Sequence, residues 1–124
     1  MQNYNSKFKT DLVGRCYRFS LDVIKLTDSL PNKRSAWVLA DQLIRLTTSI
    51  GANLTEARAS SSRLEFKRFY EISLKSANES KYWLELLGDS GLVAKDRLKS
   101  LLSELHELSS MIASSVLKLK SKKL

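Results

Sequence analysis

The stretch FKRFYEISLKSANESKYWLELL, residues 66–87, decides the fold of this chain. Its apolar and small residues recur at steps of three and four, so they share one face of a helix. The residues on that face are Phe66, Tyr70, Ser73, Ala77, Ser80, Leu84 and Leu87. Serine and alanine in the middle of the face let a neighbouring helix approach closely. The stretch therefore belongs to a long predicted helix, residues 63–88, that packs tightly against a partner.

Similar apolar patterns on either side of this stretch predict three more helices, over residues 7–30, 36–59 and 94–120. Pro31 ends the first of them. Ser62, with Glu65 three residues later, is a capping signal for the start of the third. Because the connections are short, consecutive helices should run antiparallel. The sequence predicts an all-α protein, an antiparallel up-down-up-down four-helix bundle that forms one domain over residues 1–124.

Composition narrows the class of protein further. The 124 residues are 43% hydrophobic, enough for a core that needs no disulfide or metal. A single cysteine, Cys16, excludes an internal disulfide and fits a reducing compartment. No apolar run approaches the ~20 residues of a membrane span, and the N-terminus is too polar for a signal peptide. We expect a cytoplasmic protein with no membrane partner.

The chain carries a net charge of +8, and half of it lies on the last seven residues, which hold four lysines and no acid. A basic surplus favours polyanionic partners. Cations at the end of a helix are also favoured by the helix dipole, so the charge has a purely structural interpretation as well. The residues predicted to contact nucleic acid are Lys33, Arg34, Lys118, Lys120, Lys122 and Lys123.

A polar stripe borders the apolar face of the second helix. Its members are Gln42, Arg45, Ser49, Asn53 and Glu56. At about 100° per residue they fall within roughly 80° of one another. Antiparallel pairing about the turn at residues 60–62 brings Arg45 near Glu79, and we predict a contact between these two, within the chain or across a subunit boundary. The stripe is interpreted as an interhelical hydrogen-bond network, with a subunit interface or a ligand site as the alternatives.

Groups that usually carry catalysis or bind metals are missing from the sequence pattern. His106 is the only histidine and has no metal-ligating partner at helical spacing. Cys16 falls on the apolar face of the first helix, as a core residue does. No ExxH pair and no phosphate-binding loop occurs. The sequence therefore predicts no enzymatic activity, no cofactor and no metal.

Residues 42–87 carry the features of a known family. The matching residues are Gln42, Arg45, Ser49, Ile50, Gly51, Ala52, Asn53, Glu56, Ala57, Ser62, Phe66, Ile72, Lys75, Ala77, Glu79, Tyr82, Trp83 and Leu84. Through them the chain resembles the bacterial four-helix-bundle proteins first noticed as reading frames in intervening sequences of large-subunit ribosomal RNA genes. Ser76 departs from the pattern, since the resemblance leads us to expect glutamate there.

The resemblance implies an antiparallel bundle without catalytic activity. It also implies a ring-like homo-oligomer, a pentamer. The family is similar to the accessory proteins of diversity-generating retroelements, which are basic and oligomeric and bind a reverse transcriptase and nucleic acid.

Composition and resemblance together predict a non-enzymatic, oligomeric accessory protein that binds nucleic acid, with RNA favoured, through a basic surface. The alternative is a protein-interaction scaffold, for example a partner of a reverse transcriptase, built on apolar surface of the first and third helices. A third possibility is a toxin–antitoxin or phage-related structural module.

Overall fold

The structure is a computed structural model that describes residues 11–121. Within that range every regular element is an α-helix. The helices are α1 (Leu12–Asp28), α2 (Arg34–Arg58), α3 (Arg63–Asp89) and α4 (Lys95–Ser121). The prediction of an all-α four-helix bundle is therefore confirmed.

Side-chain caps fix the starts of α1 and α3. The carboxylate of Asp11 accepts a 2.8 Å hydrogen bond from the backbone N–H of Val13. The hydroxyl of Ser62 accepts one of 3.1 Å from the N–H of Glu65, which confirms the predicted cap. Such caps satisfy N–H groups that have no partner within the helix. The predicted start of the first helix, residue 7, lies outside the described residues.

The remaining helix ends differ from the predictions by a few residues at most. α2 begins at Arg34 instead of residue 36, because its N-cap Lys33 forms no side-chain cap that the sequence could signal. The turn after α3 contains Gly91, whose φ of 80° lies in the left-handed region that glycine tolerates best. α1 ends at Asp28, before Pro31.

Consecutive helices run antiparallel, and α4 also packs against α1, which closes the bundle. The predicted apolar faces meet in one core. Its largest fully buried side chains include Phe19 of α1, Leu43, Ile50 and Leu54 of α2, Leu84 and Leu87 of α3, and Leu105, Leu108 and Ile112 of α4. Each contributes about 1.5–3 kcal/mol through burial. Within residues 11–121, no helix combines the length and apolar character needed to cross a bilayer.

The most extensive helix pairing joins α2 to α3, and it depends on small residues. Ser73, Ala77 and Ser80 are completely buried on the face of α3 that the sequence identified. The Ser73 hydroxyl donates a 2.8 Å hydrogen bond to the backbone carbonyl of Ile50 in the middle of α2. The Ser80 hydroxyl donates to the carbonyl of Ser76 within its own helix. We call these small residues of α3 (Ser73, Ser76, Ala77, Ser80) the seam.

α1 is held from both sides. On the α2 side, a Cβ placed on Gly51 would lie 3.1 Å from the Cβ of Cys16, so only glycine allows this approach without displacement. On the α4 side, Arg15 donates hydrogen bonds of 2.7 Å and 3.0 Å to the two carboxylate oxygens of Glu104, and one of 2.9 Å to Glu107. Charge-assisted, two-pronged contacts of this kind are the stronger class of ion pair. They raise the pKa of Arg15 above its already high value.

Enlarging the seam should destabilise the fold. We expect Ala77→Leu to lower the free energy of unfolding by about 1–3 kcal/mol, because a larger side chain forces α2 and α3 apart. The matched control is Ala52→Leu at an exposed position of α2, which should change stability by less than about 0.5 kcal/mol. Urea denaturation followed by circular dichroism measures both. Equal effects of the two variants would show that the seam does not limit helix separation.

Candidate nucleic-acid interface

Two residues of the predicted polar stripe, Ser49 and Asn53, lie between α2 and α3. The hydroxyls of Ser49 and Ser76 are 2.9 Å apart, so one donates to the other across the two helices. The side-chain amide of Asn53 donates to the Ser49 hydroxyl at 2.9 Å and to the Ser49 carbonyl at 2.8 Å. Ser76 is buried, and serine is short enough to fit where the family resemblance suggested glutamate. These bonds satisfy polar groups whose unpaired burial would cost about 1–3 kcal/mol each.

The predicted contact between Arg45 and Glu79 does not form within the chain. Arg45 donates from Nη2 to Oε1 of Gln42 at 2.6 Å, one turn earlier in α2. None of the ion pairs within residues 11–121 joins Arg45 to Glu79. Gln42 lies on the same helix as Arg45, so Arg45 reaches it without crossing from α2 to α3. Arg45, Glu56 and Glu79 are all exposed, and a contact between Arg45 and Glu79 across a subunit boundary stays a prediction.

The residues predicted to contact nucleic acid do not form one patch in a single chain. Lys33 and Arg34 start α2, whereas Lys118 and Lys120 lie in the last turn of α4 at the opposite end. At 1.5 Å per residue, the 25 residues of α2 separate the two ends by about 36 Å. Lys122 and Lys123 lie outside the described residues. Lys33 and Arg34 therefore do not share one surface with Lys118 and Lys120 in a single chain.

Basic side chains that the sequence analysis did not single out gather beside Lys118 and Lys120. Leu119 of α4 lines the same surface depression as residues 60–62, so the end of α4 meets the turn between α2 and α3. We call this end of the bundle the basic end. It is formed by Arg58, Arg63, Lys67, Arg68, Lys118 and Lys120. The sequence offered one signal for this cluster. Antiparallel pairing of the predicted helices places residues 58–68 beside the end of the fourth helix.

The charge surplus is concentrated there. In the two helical turns nearest each end, caps included, the basic end holds eight basic and three acidic side chains. They are the six named above with Arg15 and Arg18, against Asp11, Glu56 and Glu65. The other end holds six basic and five acidic side chains, namely Lys25, Lys33, Arg34, Lys95, Arg97 and Lys99 against Asp22, Asp28, Glu85, Asp89 and Asp96. A local surplus of one sign attracts a polyanion, so the basic end is the better candidate interface.

The helix dipole distinguishes cations that aid folding from cations that do not. Lys118 and Lys120 lie at the C-terminus of α4, where the dipole favours positive charge. Arg63 is the first residue of α3 and Arg34 the first of α2, where the same dipole disfavours it. Phosphates, in contrast, are favoured at helix N-termini. The helix dipole therefore does not favour the cation at Arg63, and an anion bound there would compensate for it.

Some cations of the basic end are already paired. Arg58 Nη2 donates to both carboxylate oxygens of Asp11, at 2.7 Å and 2.8 Å. This hydrogen bond, helped by the N–H of Val13, holds the pKa of Asp11 below its usual range. Lys120 lies 3.9 Å from Glu71, a weak contact. Arg15 is held by Glu104 and Glu107. Of the six side chains first named for this end, four have no ion-pair partner among residues 11–121, namely Arg63, Lys67, Arg68 and Lys118.

Cys16 and His106 are the single cysteine and the single histidine of the sequence, the residue types that most often serve as nucleophile or metal ligand. Burial raises the pKa of the Cys16 thiol to about 12. Since the thiolate is the reactive species, Cys16 is a core residue and not a nucleophile in the folded protein. His106 is exposed on α4, beside Lys81 and Glu85. No group of three or more His, Cys, Asp or Glu side chains in the described range is placed to hold a metal.

The helix order and the charge distribution define the class of protein, a basic antiparallel four-helix bundle. A family model described as 23S rRNA-intervening sequence protein matches residues 9–114. The chain belongs to this family, as the resemblance in residues 42–87 led us to expect.

A solved structure shares this fold over most of its length. It is the crystal structure of a protein with unknown function from the S23 ribosomal protein family of Bacteroides thetaiotaomicron. The TM-score is 0.79 at 31% sequence identity, and the match covers 85% of this chain and 97% of that chain. The comparison with curated proteins gave no match.

The pair of Asp11 and Arg58 makes a prediction about pH. Because the folded-state pKa of Asp11 is lowered, its contribution to stability is present above the unfolded value of about 3.9 and is lost as pH falls through the folded value. Asp11→Asn keeps an N-cap but not the ion pair, so near neutral pH it should cost only about 0.2–1 kcal/mol. Asp11→Ala loses the cap as well and should cost about 0.5–2 kcal/mol more.

Urea denaturation of the three proteins at neutral and acidic pH checks this. The wild type and Asp11→Asn should converge in stability well below about pH 4, where the wild-type carboxyl is protonated. An unchanged gap between them at acidic pH would show that the ion pair contributes nothing.

The burial of Cys16 predicts its reactivity. In the folded protein under mildly alkaline conditions, Cys16 should not react with a disulfide reagent such as Ellman's, because its pKa of about 12 leaves almost no thiolate. In denaturant the same thiol should react at once. Absorbance of the released thiolate measures both rates, and fast labelling of the folded protein would contradict the tight packing of Cys16 on Gly51.

Proposed function

We propose that this protein is a non-enzymatic, oligomeric accessory protein of the cytoplasm that binds nucleic acid, with RNA favoured, through its basic end. The observation that supports this most is the meeting of three separate chain segments at that end. The end of α2, the start of α3 and the end of α4 each bring cations to it.

The mechanism is electrostatic. Lysines and arginines neutralise phosphates and release the counterions condensed on the nucleic acid, which makes affinity fall steeply with salt. Arg63, Lys67, Arg68 and Lys118 lack an ion-pair partner within residues 11–121 and keep all their donors for phosphates. Lys33 and Arg34, about 36 Å away, would contact a long ligand separately or belong to a second contact.

RNA is the favoured ligand because of the family to which the chain belongs. The family description names an intervening sequence of 23S rRNA, and the similar solved protein is assigned to a ribosomal protein family. Structured RNA is therefore the first ligand to test.

An oligomer, a pentamer by family resemblance, would strengthen a surface that is weak in one chain. Several linked basic ends bind one polyanion with an avidity that exceeds each single affinity. Large apolar side chains exposed on α1 supply surface for association between copies, among them Leu21 and Ile24.

A protein-interaction scaffold is the second candidate function. The surface of α3 exposes four large apolar side chains, Leu64, Ile72, Tyr82 and Leu86. Exposed apolar surface of this kind is typical of protein partners, and a reverse transcriptase is the partner suggested by the family resemblance. Binding to a protein and not to RNA would favour this function.

Two variants with the same net charge distinguish binding at the basic end from a general attraction between a basic protein and RNA. One carries Arg63→Gln, Lys67→Gln and Arg68→Gln at the basic end. The other carries Lys33→Gln, Arg34→Gln and Lys99→Gln at the opposite end. We expect the first to bind structured RNA more weakly and to lose about 0.7–0.9 from the slope of log affinity against log salt for each phosphate contact removed. The second variant should lose much less affinity and much less of the salt slope.

Fluorescence anisotropy across a salt series, on nuclease-treated protein of known oligomeric mass, gives affinities and slopes. Replacing Lys118, Lys120, Lys122 and Lys123 with glutamine tests the tail in the same way and should also flatten the slope. Equal losses in the two triple variants would show that location does not matter. No binding by the wild type at low salt would overturn the proposal and leave the scaffold as the leading function.

A further inference from the structure

A surface depression of about 390 Å³ lies within the basic end. Its walls come from the last turn of α2, the turn at residues 60–62, the first turn of α3 and the end of α4. The lining residues are Ala57, Arg58, Ser60, Ser61, Ser62, Arg63, Phe66 and Leu119. Clefts that hold small ligands occupy about 300–1,000 Å³, so the depression is of a size to take part of one nucleotide.

One side of this depression is apolar and aromatic. Phe66 and Leu119 line it, and both are half-buried, so part of each side chain is open to solvent. The Phe66 ring stacks on Tyr70 with the ring centroids 4.8 Å apart and the planes 22° apart. Tyr70 holds the Phe66 ring in place, which lowers the entropic cost of stacking a further flat group on it.

The rest of the depression offers hydrogen-bond donors suited to phosphate. Arg58 is fixed by Asp11 through Nη2 alone, which leaves its other N–H groups for a ligand. Neither the Arg63 guanidinium nor the Ser61 side chain has a hydrogen-bond partner in the described range of the chain. Guanidinium groups match phosphate oxygens in geometry as well as in charge.

From this pairing of an aromatic wall with guanidinium groups we propose that the depression binds one unpaired nucleotide. The base packs against Phe66 and Leu119, and its phosphate contacts Arg63 and Arg58. Base-paired nucleotides inside a duplex keep both faces covered by their neighbours, whereas single strands and bulges can present a face to an aromatic side chain. The ligand class is therefore single-stranded or bulged nucleic acid. This inference rests on the proposed function, since it places a base at the basic end.

The test compares a short fluorescein-labelled oligouridylate with a blunt RNA duplex of equal phosphate number. Phe66→Leu keeps apolar volume but removes the aromatic face. It should weaken binding of the single strand on the order of tenfold, the size of one base–aromatic stack, and leave binding of the duplex unchanged. Its salt slope should stay that of the wild type, because no charge is removed.

Two further variants make the result specific to stacking at this place. Phe66→Trp restores an aromatic face and should recover single-strand affinity. Tyr82→Leu removes an exposed aromatic ring from the same helix, about 24 Å further along. This variant should bind the single strand and the duplex with wild-type affinity. Denaturation midpoints of all variants establish that each one is folded.

A selective loss of single-strand binding in Phe66→Leu, recovered in Phe66→Trp, would support the proposal. Equal affinity of Phe66→Leu and wild type for the single strand would overturn it. If charge neutralisation at the basic end still weakened RNA binding in that case, the proposed function would survive without the nucleotide site. Absence of binding by the wild type to either RNA would overturn both.

Discussion

The close approach of α2 and α3 is the constraint on which the rest of the molecule depends. A serine hydroxyl on α3, that of Ser73, reaches a backbone carbonyl in the middle of α2, and this is possible only where side chains between the helices are small. A hydrogen bond between one side chain and one carbonyl also fixes the axial register of the two helices. Once that register is set, the turn between them has one position, and the end of α4 meets it there.

The surface chemistry follows from this register. Cations that are far apart in sequence become neighbours because α2 and α3 turn back at residues 59–62 and α4 finishes beside them. The seam is buried and uncharged, so the charged residues lie outside it and at the ends of the helices. The small side chains that set the separation of α2 and α3 and the charged side chains of the basic end therefore occupy separate parts of the bundle.

The sequence was sufficient for the helices and insufficient for most of the surface. Spacing of apolar residues identified the buried faces, and Ser62 with Glu65 located the start of α3 within one residue. The sequence did not predict the contact of Arg45 with Gln42, because a long flexible side chain has several partners in reach and helical spacing does not choose between Gln42 and Glu79. The sequence did not predict the basic end, because its residues become adjacent only through tertiary packing. Phe66 likewise read as an ordinary core residue until the structure placed it at the edge of a depression.

The same geometry affects how this protein should be handled. Asp11, before the start of α1, and Ser121, the last residue of α4, both belong to the basic end of the bundle. A label attached at Asp11 or at Ser121 would therefore lie next to the surface that carries the charge surplus. The loop between α1 and α2, around Asn32, lies at the far end, about 36 Å away. That loop is the place for a fluorophore or for immobilisation on a sensor chip.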